Sequence, residues 1–262
     1  MAIAGRLRGP ALEAVVPIVI LLAWGAWSAR AESFFFPPLT DILLSFRQNW
    51  LFARLLPDVA PSLERMAAGY ALAVAFGIAL GVLIGSSGRA RSAAGPWVEF
   101  LRAIPPPVLV PLAILTFGIG AQFKVFVIAI GCIWPVLLNT IDAVRGIEQV
   151  LLETTASYRI RWLDRLRYVV LPAASPRIFA GMRSALSLSL ILMVISEMQA
   201  STDGIGFFVL QSQRSFAIAD MWSGILLLGL LGYASNAIFV VVERRVLRWH
   251  RAAHSSALEE AV

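Results

Sequence analysis

Six apolar stretches, each close to the length that crosses a bilayer, constrain this chain more than any other feature. They cover residues 11–28, 63–86, 97–117, 124–141, 178–197 and 221–242. A membrane-spanning helix needs about 20 apolar residues, and hydrocarbon cannot hydrogen-bond exposed backbone groups. Because 59% of the residues are hydrophobic and only 15% are charged, the sequence predicts an all-α membrane protein with about six transmembrane helices, organised as one transmembrane domain over residues 1–262.

The third stretch differs from the others because Pro105, Pro106, Pro107 and Pro111 interrupt it. Proline lacks a backbone donor and clashes with the preceding helical turn. The sequence therefore predicts a broken or displaced span instead of one straight helix. Irregular backbone at membrane depth is tolerated where it is buried in protein or lines a wet cavity. An ordinary kinked helix is the alternative.

The distribution of charge predicts the orientation in the membrane. If the N-terminus lies inside, most of the 22 basic residues fall in cytoplasmic segments, as the positive-inside rule requires. Both termini and the loop after residue 145 are then cytoplasmic, whereas residues 33–61 and 200–220 are external. The net charge of +6 follows from this topology and does not indicate nucleic acid. Arg6 and Arg8 resemble the start of a secretory signal, but without a cleavage site we expect a retained first span.

Side chains that could support catalysis or bind a metal are scarce. Cys132 is the only cysteine and lies among apolar neighbours, while His250 and His254 lie in a polar C-terminal tail. Neither pattern predicts a metal site. The sequence contains no glycine-rich phosphate loop, and its only lysine is Lys124. We therefore expect no catalytic residues and no enzyme activity in this chain by itself.

The loop from residue 145 to residue 176 is the one long charged segment between apolar stretches. Its pattern predicts two short helices, over residues 147–158 and 162–170, with Pro172 ending the second and Pro176 beginning the next span. A basic, helix-patterned segment of this length predicts a docking surface for a cytoplasmic partner. Alternatively, the amphipathic pair lies on the anionic inner leaflet.

Two features within the spans predict packing and function. Gly69, Gly77, Gly81 and Gly85 form a small-residue face, which permits close helix contact within the chain or across a dimer. A few ionisable residues also lie within the spans, where charge by default suggests function. They are Glu64, Arg65, Glu99, Arg183 and Glu197, and most of them lie near span ends and could extend to the surface. Glu64 and Arg65 are expected to form a local ion pair beside the cap residue Ser62.

The 145–176 loop resembles the signature of permease subunits from bacterial binding-protein-dependent ABC importers. That signature is Glu-Ala-Ala, three residues, Gly, nine residues, Ile, one residue, Leu-Pro. At the same spacing, this chain has Glu153-Thr154-Thr155, then Arg159, then Val169-Val170-Leu171-Pro172. The two threonines and Arg159 depart from the family pattern. If the glycine position requires a positive φ, Arg159 costs about 1 kcal/mol or more.

The resemblance to one branch, the importers of nitrate, sulfonates and taurine, extends over most of the chain. It includes segments in each half of the sequence, in order and at the right separations. Among them are Phe36-Pro37-Pro38, Gly69-Tyr70, Gly77-Ile78, Ile104-Pro105, Phe117-Gly118-Ile119-Gly120, Glu197-Met198 and Asp203-Gly204-Ile205-Gly206.

The resemblance implies a multi-pass permease of the bacterial inner membrane whose loop docks on an ATPase dimer that binds ATP and Mg. The implied docking residues are Glu153, Thr154, Thr155, Tyr158, Arg159, Trp162, Leu171 and Pro172. It also implies a second permease copy or paralogue and an extracytoplasmic solute-binding protein. The implied cargo is a small anion such as a sulfonate, taurine or nitrate. The chain itself is expected to bind no cofactor or nucleic acid; its other partner is membrane lipid.

Candidates for the translocation path are Pro105, Pro111, Arg183 and Glu197. For Arg183 the alternative is a structural ion pair with Glu99 or Glu64. Two rival functions stay open, a membrane scaffold whose basic loop binds lipid or a partner other than an ATPase, and a secondary transporter. The latter normally shows buried acidic relays or an inverted repeat, and neither is evident in the sequence.

Overall fold

The computed structural model describes residues 15, 19, 23–28 and 33–249, and the helices below account for most of them. No strand occurs in this part of the chain, which confirms the all-α prediction. The helices are α1 Leu39–Gln48, α2 Ala60–Gly85, α3 Gly88–Arg102, α4 Val110–Phe117, α5 Ala121–Arg145, α6 Gln149–Ser157, α7 Trp162–Arg165, α8 Leu171–Gln199, α9 Ile205–Arg214 and α10 Ile218–Val246.

Four helical segments in the described part are long and apolar enough to cross a membrane. They are Leu55–Gly85, Ala121–Arg145, Trp162–Gln199 and Ile218–Val246. A fifth candidate is the pair Gly88–Arg102 and Pro106–Phe117, which is bent by 81°. Most of the predicted first span, residues 11–28, lies outside the described residues, and residues 23–28 are helical.

The bent pair shows how the prolines break the third span. α3 ends at Arg102, Pro105 is extended with φ −63° and ψ 124°, and a 3₁₀ turn, Pro106–Leu109, leads into α4. Pro111 lies in the first turn of α4, where its missing N–H costs no hydrogen bond. The prediction of a broken span is confirmed.

The glycine face of α2 packs against α5 within the chain. A Cβ atom at Gly69 would meet Ile128, one at Gly77 would meet Val136, and one at Gly81 would lie 2.5 Å from the Cβ of Thr140. Successive glycines along α2 therefore meet successive residues along α5, which shows that the two helices run parallel. The close approach therefore depends on residues without side chains, as in other membrane helix pairs.

α8 runs antiparallel to α5, and it corrects one predicted boundary. Gly131 faces Leu192, and Gly181 faces Asn139. Pro172 does not end the second loop helix. A π-helical turn, Leu166–Val170, leads directly into α8, and Pro172 lies in its first turn. Proline lacks an N–H and clashes with a preceding α-helical turn, and here the preceding turn is π-helical instead.

These directions give the bundle two distinct ends. At one end, Gly85 lies against Val144 and Gly146 lies against Arg177, beside the loop of residues 146–170. We call this the loop end. At the other, Ser62 and Gly206 both bond Glu197, beside the turn of residues 200–204. We call this the turn end.

Candidate functional site

At the loop end, α6 carries the first part of the signature. Glu153 is exposed and accepts a hydrogen bond from Nε2 of Gln149 at 2.7 Å. The hydroxyl of Thr154 donates to the Val150 carbonyl, and that of the buried Thr155 donates to the Leu152 carbonyl. The two threonines thus satisfy their hydroxyl donors within the helix, which explains how β-branched residues replace alanine there.

Arg159 stands where the signature has glycine, and its φ is +53°. Its backbone N–H donates to Ala156, and that of Ile160 donates to Thr155. This is the left-handed helix ending that normally uses glycine. The conformation costs a residue with a Cβ about 1 kcal/mol or more, so the position does require a positive φ and Arg159 is strained.

On both sides of this helix ending, the loop exposes aromatic and apolar side chains. Tyr158 is 78% exposed, Trp162 52% and Leu163 68%. Val150 and Tyr168 are also exposed on neighbouring turns. Because soluble surfaces seldom concentrate such residues without a partner, the loop offers a contact surface in which aromatic anchors are available.

The same loop is fixed to the ends of the long helices. Leu152, Leu166 and Leu171 pack against a buried cluster that includes Val82, Val144, Val170 and Ile178. Pro172 follows in the first turn of α8. A force applied to the exposed side of the loop would therefore reach α2, α5 and α8 together.

The four path candidates do not come together in this chain. Pro105 and Pro111 are exposed at the break between α3 and α4, and Arg183 is exposed on α8. Glu197 is fully buried, about 20 Å further along the same helix by residue count.

Nor does Arg183 pair with either predicted acid. Its Nε donates to Oδ1 of Asn236 at 3.1 Å, and Glu99 bonds Arg102 instead. The side chain therefore lies between α8 and α10, where it keeps its charge on the surface of the chain.

Glu197 belongs to a buried group of charges at the turn end. One carboxylate oxygen accepts from the Ser62 hydroxyl at 2.7 Å and from Arg65 at 3.4 Å, and the other accepts from the Gly206 N–H at 3.0 Å. Lys124, which is 2% exposed, donates to Ser201 and lies 3.4 Å from Asp203. We call Ser62, Arg65, Lys124, Glu197 and Asp203 the charge network.

The charge network corrects two expectations. Arg65 does not pair with Glu64; it makes a bidentate ion pair with Asp203, at 2.9 and 2.8 Å. Glu197 is not at the surface but is enclosed, because its hydrogen bonds and two cations offset the cost of burying a carboxylate. Ser62 lies inside α2 and also accepts from the Ile205 N–H.

The network fixes the 200–204 turn to three long helices. The hydrogen bond from Arg65 lowers the pKa of Asp203 to about 2, so this carboxylate stays charged at neutral pH. Gly204, with φ +107°, donates its N–H to Asp58 at 2.8 Å. No group of three metal-ligating side chains occurs among the described residues. The arrangement is suited to holding helices together.

Comparison with known proteins points to one family. The profile described as "Binding-protein-dependent transport system inner membrane component" matches residues 73–248. SsuC of Bacillus subtilis, named for aliphatic sulfonates transport, is 29% identical over 90% of this chain and 86% of its own length. The nitrate import permease protein NrtB of Leptolyngbya laminosa is 35% identical over 72% of this chain and 68% of its own.

The fold has a counterpart among solved structures. An inward-facing conformation of the MetNI methionine ABC transporter superposes with a TM-score of 0.65 and 18% identity, over 72% of this chain and 94% of the other. At that identity the likeness concerns the fold alone.

Proposed function

The chain belongs to the binding-protein-dependent transport system inner membrane components, within the nitrate, sulfonate and taurine branch of ABC importer permeases, and we propose that its loop couples transport to a separate ATPase. As a member of this family it is a multi-pass protein of the inner membrane. It contains no phosphate loop, so ATP and Mg would be bound by the partner ATPase dimer.

The observation that carries this proposal is the form of the loop. Tyr158 and Trp162 extend outward, whereas Leu152 and Leu166 attach the loop to the buried ends of three long helices. Closure of an ATPase dimer against the exposed side would therefore displace α2, α5 and α8 as a unit. The proposed docking residues are the loop residues that the resemblance implies: Glu153, Thr154, Thr155, Tyr158, Arg159, Trp162, Leu171 and Pro172.

The cargo we propose is a small anion, delivered by an extracytoplasmic solute-binding protein. The names of the relatives support the class, because they refer to sulfonates and nitrate. Arg183 would face the path and offset the charge of the anion, with Pro105 and Pro111 on the opposing broken span. Glu197 would stabilise the helices α2 and α8 of the path wall through the hydrogen bonds that it accepts from Ser62 and Arg65. A second permease copy or paralogue would complete the path.

Charge reversal in the loop tests the coupling. In the assembled transporter, Glu153→Arg should abolish substrate-stimulated ATP hydrolysis, since the new cation replaces an exposed carboxylate on the docking side. The matched control is Glu64→Arg, which reverses an exposed glutamate on α2, near the turn end. Unchanged stimulation in Glu153→Arg would remove the loop from the mechanism and favour the scaffold or the secondary transporter.

Thiol labelling tests the proposed orientation independently. Single cysteines at Ser157 and Ser215, both exposed, would be introduced into a Cys132→Ala background. With the loop in the cytoplasm, an impermeant reagent on intact cells should label Ser215→Cys and not Ser157→Cys. The reverse pattern would invert the topology and place the loop beyond the reach of a cytoplasmic ATPase.

A further inference from the structure

A cavity of about 500 Å³ lies between the loop and the ends of the long helices. Three arginines from three separate elements line it: Arg91 from α3, Arg145 from α5 and Arg165 from α7. Ser86 and Gly88 form part of the wall near the start of α3. No acidic side chain occurs among the described residues that line this space.

The arginines in this cavity are poorly compensated by the protein. Nε of Arg165 is buried and has no hydrogen-bond partner in the described part of the chain. Within the described residues, Arg145 has one long ion pair, 4.0 Å, with the exposed Asp142. A buried donor without an acceptor is unfavourable, and like charges in a small space repel each other. A bound anion would relieve both costs.

The backbone adds to the positive potential. Gly88 is the first residue of α3, a helix of 15 residues, and Ser87 caps it by accepting from the Ala90 N–H. The N-terminus of a helix carries a partial positive charge and free N–H groups. The cavity thus combines three guanidinium groups with a helix N-terminus.

We propose that this cavity binds a phosphate-bearing anion, supplied by the headgroup of an anionic membrane lipid. Basic pockets between transmembrane helices on the cytoplasmic side are suited to such headgroups. Val144, Ile147, Leu152 and Val170 give the cavity an apolar wall, which the glycerol and first acyl carbons of a lipid would contact. The inference rests on the proposed function for the side of the membrane on which the loop lies.

A lipid bound there would have a mechanical role. Its phosphate would bridge Arg165 of the loop to Arg91 and Arg145 at the ends of two helices. The loop would then be attached to the bundle by charge as well as by the apolar cluster. Trp162 lines the cavity and also belongs to the proposed docking residues, so the lipid and the ATPase would bind adjoining sides of one loop.

Native mass spectrometry of the purified full-length chain tests this site. Phosphatidylglycerol would be titrated against phosphatidylcholine with the same acyl chains. Wild type should retain phosphatidylglycerol preferentially, and Arg91→Gln and Arg165→Gln should each weaken it about fivefold or more, since an arginine near an anionic headgroup is worth about that factor. The matched control is Arg89→Gln, two residues from Arg91, exposed and outside the cavity lining.

Two further measurements distinguish a lipid headgroup from free phosphate, and a loss of binding from a loss of folding. Inorganic phosphate alone, if it binds and displaces the lipid at equal affinity, would identify free phosphate as the ligand and overturn the lipid assignment. Arg165→Lys should retain most of the binding because it keeps the charge; loss in that variant too would indicate a packing effect. Equal binding by Arg91→Gln, Arg89→Gln and wild type would refute the site.

The lipid site and the ATPase coupling can be refuted independently of each other. Arg91→Gln lies outside the loop and should still assemble with the ATPase while losing lipid. Loss of coupling in Glu153→Arg with normal lipid binding would support the docking function whatever the outcome of the titration.

Discussion

Glu153 at the loop end and Glu197 at the turn end are the same residue type in opposite settings. Glu197 is 0% exposed and is bonded by Ser62, Arg65 and the Gly206 N–H, from other parts of the chain. Glu153 is exposed, and among the described residues its carboxylate accepts a hydrogen bond from Gln149, four residues earlier. The turn end is closed by its own contacts, whereas the loop end keeps polar and aromatic groups available for other molecules.

This difference suits the proposed coupling of the loop to an ATPase. If the loop moves the helices, one end of the bundle must stay fixed while the other is displaced. The charge network joins α2, α5 and α8 at the turn end through long-range ion pairs. At the loop end the same helices carry a segment that packs through a small apolar cluster. We therefore expect stability to reside mainly at the turn end and adaptability at the loop end.

The strongest challenge to this comparison is the removal of Glu197. Glu197→Ala would remove the buried ion-pair partner of Arg65 and leave the Ser62 hydroxyl and the Gly206 N–H without their acceptor. Breaking a buried ion pair by deleting one member costs about 3–5 kcal/mol. For a chain of this size the unfolding temperature should fall on the order of 10 °C, as measured by thermal unfolding of the purified chain in detergent.

The control for that experiment is the same substitution at the other end. Glu153→Ala removes one exposed hydrogen bond between residues four apart, which is worth about 0.2–0.5 kcal/mol. Its unfolding temperature should therefore be close to that of wild type. If the two variants lose similar stability, the charge network is not the fixed end, and the contrast between the two regions is wrong.

The sequence predicted the loop end better than the turn end, and the reason is the range of the contacts. α6 was expected over residues 147–158 and is observed at Gln149–Ser157, because its pattern and its hydrogen bonds are local. The charge network joins residues more than 70 positions apart, such as Lys124 with Asp203 and Ser62 with Glu197. Their spacing carries no periodicity that a single sequence could reveal.

One signal of the network was nevertheless present. Lys124, the only lysine, begins an apolar stretch, where a lone cation would be costly without a partner. A search for its partner would have led to the acids near the turn end. By contrast, the glycine face predicted close packing but not whether the contact lay within the chain, because Gly77 and Gly81 would fit any smooth helix surface.

The smallest expected effect concerns the strain within the loop itself. Arg159→Gly would place glycine where φ is +53° and should stabilise the end of α6 by about 1 kcal/mol, less the greater freedom of glycine in the unfolded chain. Hydrogen–deuterium exchange of the amides in Gln149–Ser157 should then slow by up to about fivefold. The matched control is Ser157→Gly, in helical backbone, which should speed the same exchange because glycine disfavours the helix.

Arg159→Gly also distinguishes backbone strain at residue 159 from a role of its guanidinium in binding the ATPase. If Arg159 serves only as a poor helix ending, Arg159→Gly should exchange more slowly and bind the ATPase at least as well as wild type. If its guanidinium meets an acidic residue of the ATPase, the loop should become more stable while binding weakens, because the charge is lost as the strain is relieved. Exchange that is unchanged or faster in Arg159→Gly would show that the left-handed conformation is not strained. The loop end would then lack the backbone strain that we infer at Arg159.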